Sequence, residues 1–265
     1  MAAFFELDSA RVCVVAIDGA SARRVLLLHG NPSHLGHFQG IVPAVCRHAG
    51  VIAYDHPGYG RSSAFGDGEV TLERSARLGV AVLDALGVDH PVDVIGHSHG
   101  GMVAIAMAAL TPERVRSIVV MGTGAAPAPV GYRLLRTLPG VAAVGRRLTA
   151  LTGVAVRCSF APDAPPAGFV ARQIEELRAR PEVLDAMVQL ARDDPGAKAT
   201  AYARRVEVPA LVVHGAHDML VAARHGRRLA AIVRHGRFVH VTGGHMVHIA
   251  HPERVGPLLD AWLAG

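Results

Sequence analysis

Gly96-His97-Ser98-His99-Gly100-Gly101 stands directly after the apolar run Val92 to Ile95 and before the apolar stretch Met102 to Leu110. A serine with glycines two residues before and after it fits a sharp strand-to-helix turn, where the backbone is strained and helix and strand pass too close for a Cβ. The helix that follows would aim its first N–H groups at the same point. Such an arrangement suits nucleophilic attack by the Ser98 hydroxyl. A serine hydroxyl is a poor nucleophile at neutral pH, so it needs a base within hydrogen-bond reach and a third group holding that base in one tautomer. The base must be a histidine, and the chain has 16 of them, so residue type alone singles out none. Acyl transfer also needs two N–H donors for the oxyanion of the tetrahedral intermediate. His97 and His99 flank Ser98 as His-x-His, but on such a turn their side chains diverge, and no metal site is expected there.

The elements that must position these groups are legible as alternation. Arg11 to Ile17, Arg24 to Leu28, Val51 to Tyr54, Val92 to Ile95, Arg116 to Met121, Ala210 to His214 and Arg237 to Val241 read as strands. Helical stretches at Leu72 to Leu86, Met102 to Leu110 and Ala222 to Val233 separate several of them. Apolar strands interleaved with helices imply an α/β fold, a mostly parallel central sheet of about eight strands flanked by helices. Catalytic loops in such folds lie at the carboxyl ends of the strands. The alternation breaks between about Ala125 and Glu207, where Tyr132 to Leu138, Val141 to Leu151 and Phe169 to Arg192 carry helical spacing and no strand is evident. Residues 1–124 and 208–265 are therefore expected to form one core domain, and 125–207 a helical cap insertion. The Pro162, Pro165 and Pro166 loop is expected to join two cap helices.

The bulk properties exclude several classes. At 265 residues and 51% hydrophobic composition the chain can bury one sizeable core. Its formal charge of +5 comes from scattered arginines without a basic block, so no nucleic-acid partner is expected. Cys13, Cys46 and Cys158 are odd in number and lack Cys-x-x-Cys spacing, which argues against a disulfide framework or a zinc site and for a reducing compartment. Glu6, Asp8 and Arg11 interrupt any leader-like apolar segment, and no run approaches the roughly 18 residues of a membrane span. A cytoplasmic protein with no membrane partner is expected. The sequence carries no signature of oligomeric state.

Four motifs stand in order along most of the chain: His29-Gly30-Asn31-Pro32, Asp55-His56-Pro57-Gly58-Tyr59-Gly60-Arg61-Ser62, the turn at Ser98, and Gly243-Gly244-His245 followed by Pro252-Glu253. In this the chain resembles the α/β-hydrolase fold superfamily. The resemblance implies His245 as the base and Asp218, after the apolar run Ala210 to Val213, as its orienting acid, in the order Ser98, Asp218, His245. The earlier position that some relatives use for the acid reads Gly122-Thr123-Gly124 and has no carboxylate. His248 and His251 are read as bystanders, and Asp55, Asp193 and Asp194 as structural or solvated. The backbone amides of His99 and Asn31 are the candidate oxyanion donors, although the Asn31 side chain could instead face the substrate. Gly58 to Ser62 is expected to shape a turn behind the site.

His29-Gly30-Asn31-Pro32 is also similar to haloalkane dehalogenases, which use an aspartate nucleophile. With serine, displacement at a carbon–halogen bond would leave an ether that water could not cleave, so carbonyl substrates are expected instead. The resulting expectation is hydrolysis of a small or medium apolar carboxylic ester, thioester or lactone, with no cofactor. Carbon–carbon hydrolysis, a lyase, a cofactor-free perhydrolase or tailoring reaction on the same residues is the alternative, and a ligand-binding receptor a third. Gly30, His34, Leu134, Phe169, Met187 and Met246 are the expected substrate contacts. Leu138, Val141 and Leu190 are further apolar cap residues, and Arg133, Arg136, Arg146 and Arg147 could bind a carboxylate, although solvated helix faces explain them as well.

Overall fold

The computed structural model describes residues 2–125, 149–180 and 182–265. Its eight strands are β1 (Ala2–Leu7), β2 (Ala10–Ile17), β3 (Arg24–Leu28), β4 (Gly50–Tyr54), β5 (Val92–His97), β6 (Val115–Met121), β7 (Ala210–Gly215) and β8 (Gly236–Val241). They form one sheet in the order β1-β2-β4-β3-β5-β6-β7-β8. The β1/β2 and β2/β4 pairs are antiparallel, and the other pairs are parallel. The seven strands read from the sequence are all present. The eighth, β1, escaped because it is a half-exposed edge strand whose apolar run, Ala2 to Phe5, is short and ends at Glu6.

Successive residues of the central strands bury on opposite faces, as a parallel sheet covered on both sides requires. Leu26 and Leu28 pack on one side with Leu72, Leu78, Val103 and Met107, which belong to α2 (Leu72–Ala85) and α3 (His99–Leu110). Val25 and Leu27 pack on the other with Val45 of α1 (Val42–Cys46), and with Val255 and Leu259 of the C-terminal helix Pro252–Ala264. Helix α3 is apolar all round because it lies buried against the sheet, with every residue from Val103 to Ala109 inside. The C-terminal helix, not read from the sequence beyond Pro252-Glu253, begins with that proline at a position where no N–H is needed.

Between β6 and β7 lie α4 (Thr149–Phe160), α5 (Phe169–Ala179), α6 (Glu182–Arg192) and α7 (Pro195–Ala203). The Pro162 to Pro166 loop joins α4 to α5. The single helical stretch read from Phe169 to Arg192 is divided in two where the sequence carries Pro181, and Arg180 before it takes φ −131° and ψ 76°, outside the helical region that a residue preceding proline avoids. Helix α7, inside the stretch expected to form the cap, contributes Ala199 and Ala203 to the same core cluster as α3. Tyr132 to Leu138, Leu134 among them, Val141 and the arginines at 133, 136, 146 and 147 lie outside the described residues. After β7 come α8 (Ala223–Ile232), α9 (Val247–Ala250) and α10, the Pro252–Ala264 helix. Among the described residues no helix is long and apolar enough to cross a membrane.

Candidate active site

Ser98 joins β5 to α3 with φ 51° and ψ −114°, a backbone conformation that side-chain-bearing residues rarely adopt. The surroundings over-determine it. Its N–H donates to Met121 O at 2.8 Å on the neighbouring strand, and its carbonyl accepts from Thr123 Oγ1 at 2.9 Å. Glycine is required on both sides: a Cβ on Gly96 would lie 2.3 Å from Gly100 O, and one on Gly100 would lie 2.0 Å from Leu28 O. Gly30 passes so close above that its Cβ would stand 3.2 Å from the Ser98 Cβ. The His99 amide, first in α3, has no intrahelical acceptor and is available to a ligand.

Asp218 lies on the loop after β7 and His245 on the loop after β8, and the two meet with His245 Nδ1 2.7 Å from Asp218 Oδ2. The other carboxylate oxygen accepts from the amides of Leu220 at 2.9 Å and Val221 at 2.8 Å. His214 Nε2 donates to Val221 O at 2.7 Å and stands 3.3 Å from Asp218 Oδ2. Burial by itself would push the Asp218 carboxyl up, but the hydrogen bonds from His214, His245 and the Val221 amide outweigh it and hold the group well below the usual carboxylate range. An ionised Asp218 accepts a hydrogen bond from Nδ1–H of His245, which fixes the proton on Nδ1 and leaves Nε2 with its lone pair.

A second tether fixes the His245 loop. His97 Nε2 donates to the His245 carbonyl at 3.1 Å, and the His97 ring lies between those of His245 and His248, at 4.8 and 4.2 Å. Burial pushes His97 and His99 down to about 3, so both are neutral at ordinary pH. His29 is neutral and of one tautomer, donating from Nδ1 to Gly30 O at 2.8 Å and accepting the His56 amide at Nε2 at 2.9 Å. Asp55 is structural: its two oxygens accept the Leu35 and Arg61 amides at 2.8 Å each, and Ser62 Oγ donates to its carbonyl at 2.7 Å.

Two cavities share Asn31, Met187 and Leu220 in their walls. One, of about 370 Å³, is lined by Gly30, His97, His245, Phe169, Met187 and Met246 among others. The other, of about 600 Å³, contains Ser98, His99, Met102 and Leu190. Asn31 faces both, and its Oδ1 is buried with no hydrogen-bond partner among the described residues. Of the contacts expected from the sequence, Gly30, Phe169, Met187 and Met246 line the cavity that holds His245. His34 does not: it caps the 3-10 turn Leu35–Phe38 by accepting the Gly36 amide at 3.1 Å and lines an adjoining cavity beside Glu176. Its ring is taken up by a local cap, which places it away from Ser98. Three residues touch the site in ways the sequence reading did not foresee: His214, hidden as one polar residue in an apolar strand, Thr123, and Gly122, whose φ of 59° lets its backbone pass against the His245 ring.

The chain matches the family described as alpha/beta hydrolase fold over residues 23–252. It is 29% identical over 257 residues to polyketide synthase ThaQ of Burkholderia thailandensis, a match covering 93% of this chain and only 12% of that protein's length. It is 32% identical over 262 residues to 2-hydroxymuconate semialdehyde hydrolase of Pseudomonas putida, covering 90% of this chain and 86% of that one. Among solved structures, a hydrolase from Pseudomonas aeruginosa superposes with a TM-score of 0.84 at 24% identity, over 100% of this chain and 98% of the other, a likeness of fold.

Proposed function

Since this chain belongs to the α/β-hydrolase fold family, we propose that it hydrolyses a small or medium apolar carboxylic ester, or a related thioester or lactone, through an acyl-enzyme on Ser98. The observation that carries the reading is the His245 to Asp218 hydrogen bond of 2.7 Å, on loops that leave the same carboxyl edge of the parallel strands as the turn holding Ser98 at φ 51°. In this reading His245 Nε2 takes the Ser98 proton as Oγ bonds to the substrate carbonyl carbon. The tetrahedral oxyanion accepts hydrogen bonds from the backbone amides of His99 and Asn31. The C–O or C–S bond then breaks, and His245 returns the proton to the departing alkoxide or thiolate. Water, deprotonated by the same nitrogen, attacks the acyl carbon and frees the acid and Ser98. The apolar cavity takes one side of the ester and the larger cavity the other, both within the size range of small-ligand sites.

Carbon–carbon hydrolysis is the second reading, favoured by the likeness to 2-hydroxymuconate semialdehyde hydrolase. It would use the same acyl-enzyme, with the bond beside a ketone breaking and the departing carbon taking a proton. Hydrolysis of p-nitrophenyl esters from acetate to decanoate, run on wild type beside Ser98→Ala and His245→Ala, tests the first reading. Turnover in the wild type lost in both variants, with unchanged circular dichroism, is the expected result. Absence of ester turnover, together with cleavage of a 2-hydroxy-6-oxo-dienoate, would replace the first reading with the second.

A further inference from the structure

The cavity that holds His245 is not uniformly apolar. Its apolar wall includes Val156, Phe169, Leu177, Leu184, Met187 and Met246, yet Ser33 and Gln173 also line it. Both are buried, Ser33 at 6% exposure and Gln173 at 5%. Both line the adjoining cavity as well, so together with Pro32 and Leu177 they form the partition between the two spaces. A buried hydroxyl and carboxamide in a partition cost stability unless their hydrogen-bonding capacity is used.

Only part of that capacity is used internally. Ser33 Oγ meets His37 Nδ1 at 2.5 Å, on the one-turn segment that follows the Asn31 loop. That bond fixes the hydroxyl rotor, and whichever atom carries the proton, the oxygen keeps at least one lone pair for a further donor. Burial first, then the neighbouring His34, His29 and His97, push His37 down to about 2, so the pair stays uncharged across the physiological range. Gln173 Nε2 donates to Glu176 Oε2 at 3.3 Å, and its carboxamide oxygen accepts from no described residue. By contrast Ser159, the other hydroxyl in this wall, is satisfied within its own helix by the Val156 carbonyl at 2.6 Å.

We propose that Ser33 and Gln173 form a specificity site for an uncharged oxygen substituent, a hydroxyl above all, carried on the portion of the substrate that enters this otherwise apolar cavity. The inference rests on the reading of Ser98 as an acyl-accepting nucleophile and adds the substrate class to it. A hydroxyl both donates and accepts, so it can give its proton to the Gln173 oxygen or to Ser33 Oγ and receive a hydrogen bond in return. Among the described residues lining this cavity there is no arginine or lysine to receive a carboxylate. Glu176 stands beside Gln173 and brings negative charge, and Arg180 is spent on Gly60 O, Ser62 O and Glu182. A site built to hydrogen-bond a substrate hydroxyl rejects the analogue lacking it far more strongly than an apolar pocket discriminates by size.

The test uses p-nitrophenyl esters of one chain length, unsubstituted or with a hydroxyl at each position from carbon 3 to carbon 6, and one set with a terminal carboxylate. For wild type, kcat/KM for one hydroxylated isomer is expected to exceed that of the unsubstituted ester by at least ~10-fold, with the carboxylate set slowest. In Ser33→Ala and in Gln173→Leu that ratio should fall toward one, whatever the absolute rate of each variant. A wild-type ratio near one at every position, a ratio kept in both variants, or a preference for the carboxylate overturns the proposal. Turnover is not required to decide it. Matched alkyl methyl ketones with and without the hydroxyl, titrated calorimetrically into Ser98→Ala, should differ in Kd by the same ~10-fold, and equal affinities overturn it. Absence of ester turnover and of fluorophosphonate labelling at Ser98 would count against the nucleophile, while the ketone pair still reads the specificity site alone.

Discussion

At the scale of single residues, the proposed acyl transfer depends on which nitrogen of His245 carries a proton. The Asp218 carboxylate draws that proton to Nδ1, and three further groups, His214 and the amides of Leu220 and Val221, keep Asp218 ionised and aimed. Asp218→Asn should leave the fold intact by circular dichroism and lower kcat on the order of 10⁴-fold, because an amide no longer enforces the required tautomer. His214→Leu should lower kcat by about tenfold with little change in KM, since it removes one donor from the acid without touching the cavities. An equal loss in KM would show that His214 acts through the shape of the site instead. Asp218 and the serine turn were readable from motif order, but His214 was not. A histidine inside an apolar strand gives no sign of what it faces until the loop after β7 folds back over it.

At the scale of elements, the turn between β5 and α3 is held by close backbone approach. Gly100→Ala would place a methyl carbon against the Leu28 carbonyl, at the end of a neighbouring strand, and neither backbone can retreat without breaking the β3/β5 pairing. The expected cost is about 3 kcal/mol or more in urea unfolding, measured as a lower midpoint at unchanged slope. Short apolar runs marked the central strands β3 to β7 because strands covered on both faces are built mostly of apolar residues. The edge strand β1 carried no such constraint. Helix α7 looked like part of the insertion because periodicity reports an apolar face and does not report which surface that face meets.

At the scale of the whole molecule, the buried histidines set the response to acid. Burial pushes His29 down to about 4, His37 to about 2 and His97 and His99 to about 3, and holds His56 and His248 well below their ordinary value. In the unfolded chain each would titrate near 6.5, so below that pH the unfolded state binds more protons than the folded one, and stability falls as pH falls. Each group contributes on the order of 1 kcal/mol of lost stability between pH 7 and pH 5.5, and the loss continues until the pH reaches its folded value. Asp218, depressed in the fold, adds a further loss only below about pH 4. Six such histidines together approach the total stability of an ordinary domain, so acid unfolding followed by circular dichroism should have its midpoint above about pH 5. A protein still folded at pH 4 would mean that these rings find hydrogen-bond partners as cations.

The sequence by itself determined the α/β alternation and the glycine-framed serine, because local backbone sterics and strand burial leave their mark on adjacent residues, and its motif order, through the family resemblance, pointed to Asp218 and His245. The tertiary structure alone decided that His97 tethers the loop of His245, that Ser33 and Gln173 meet in one partition, and that six of the buried histidines are held neutral. Those facts depend on contacts between residues distant in the chain, whose distances and orientations no local pattern encodes.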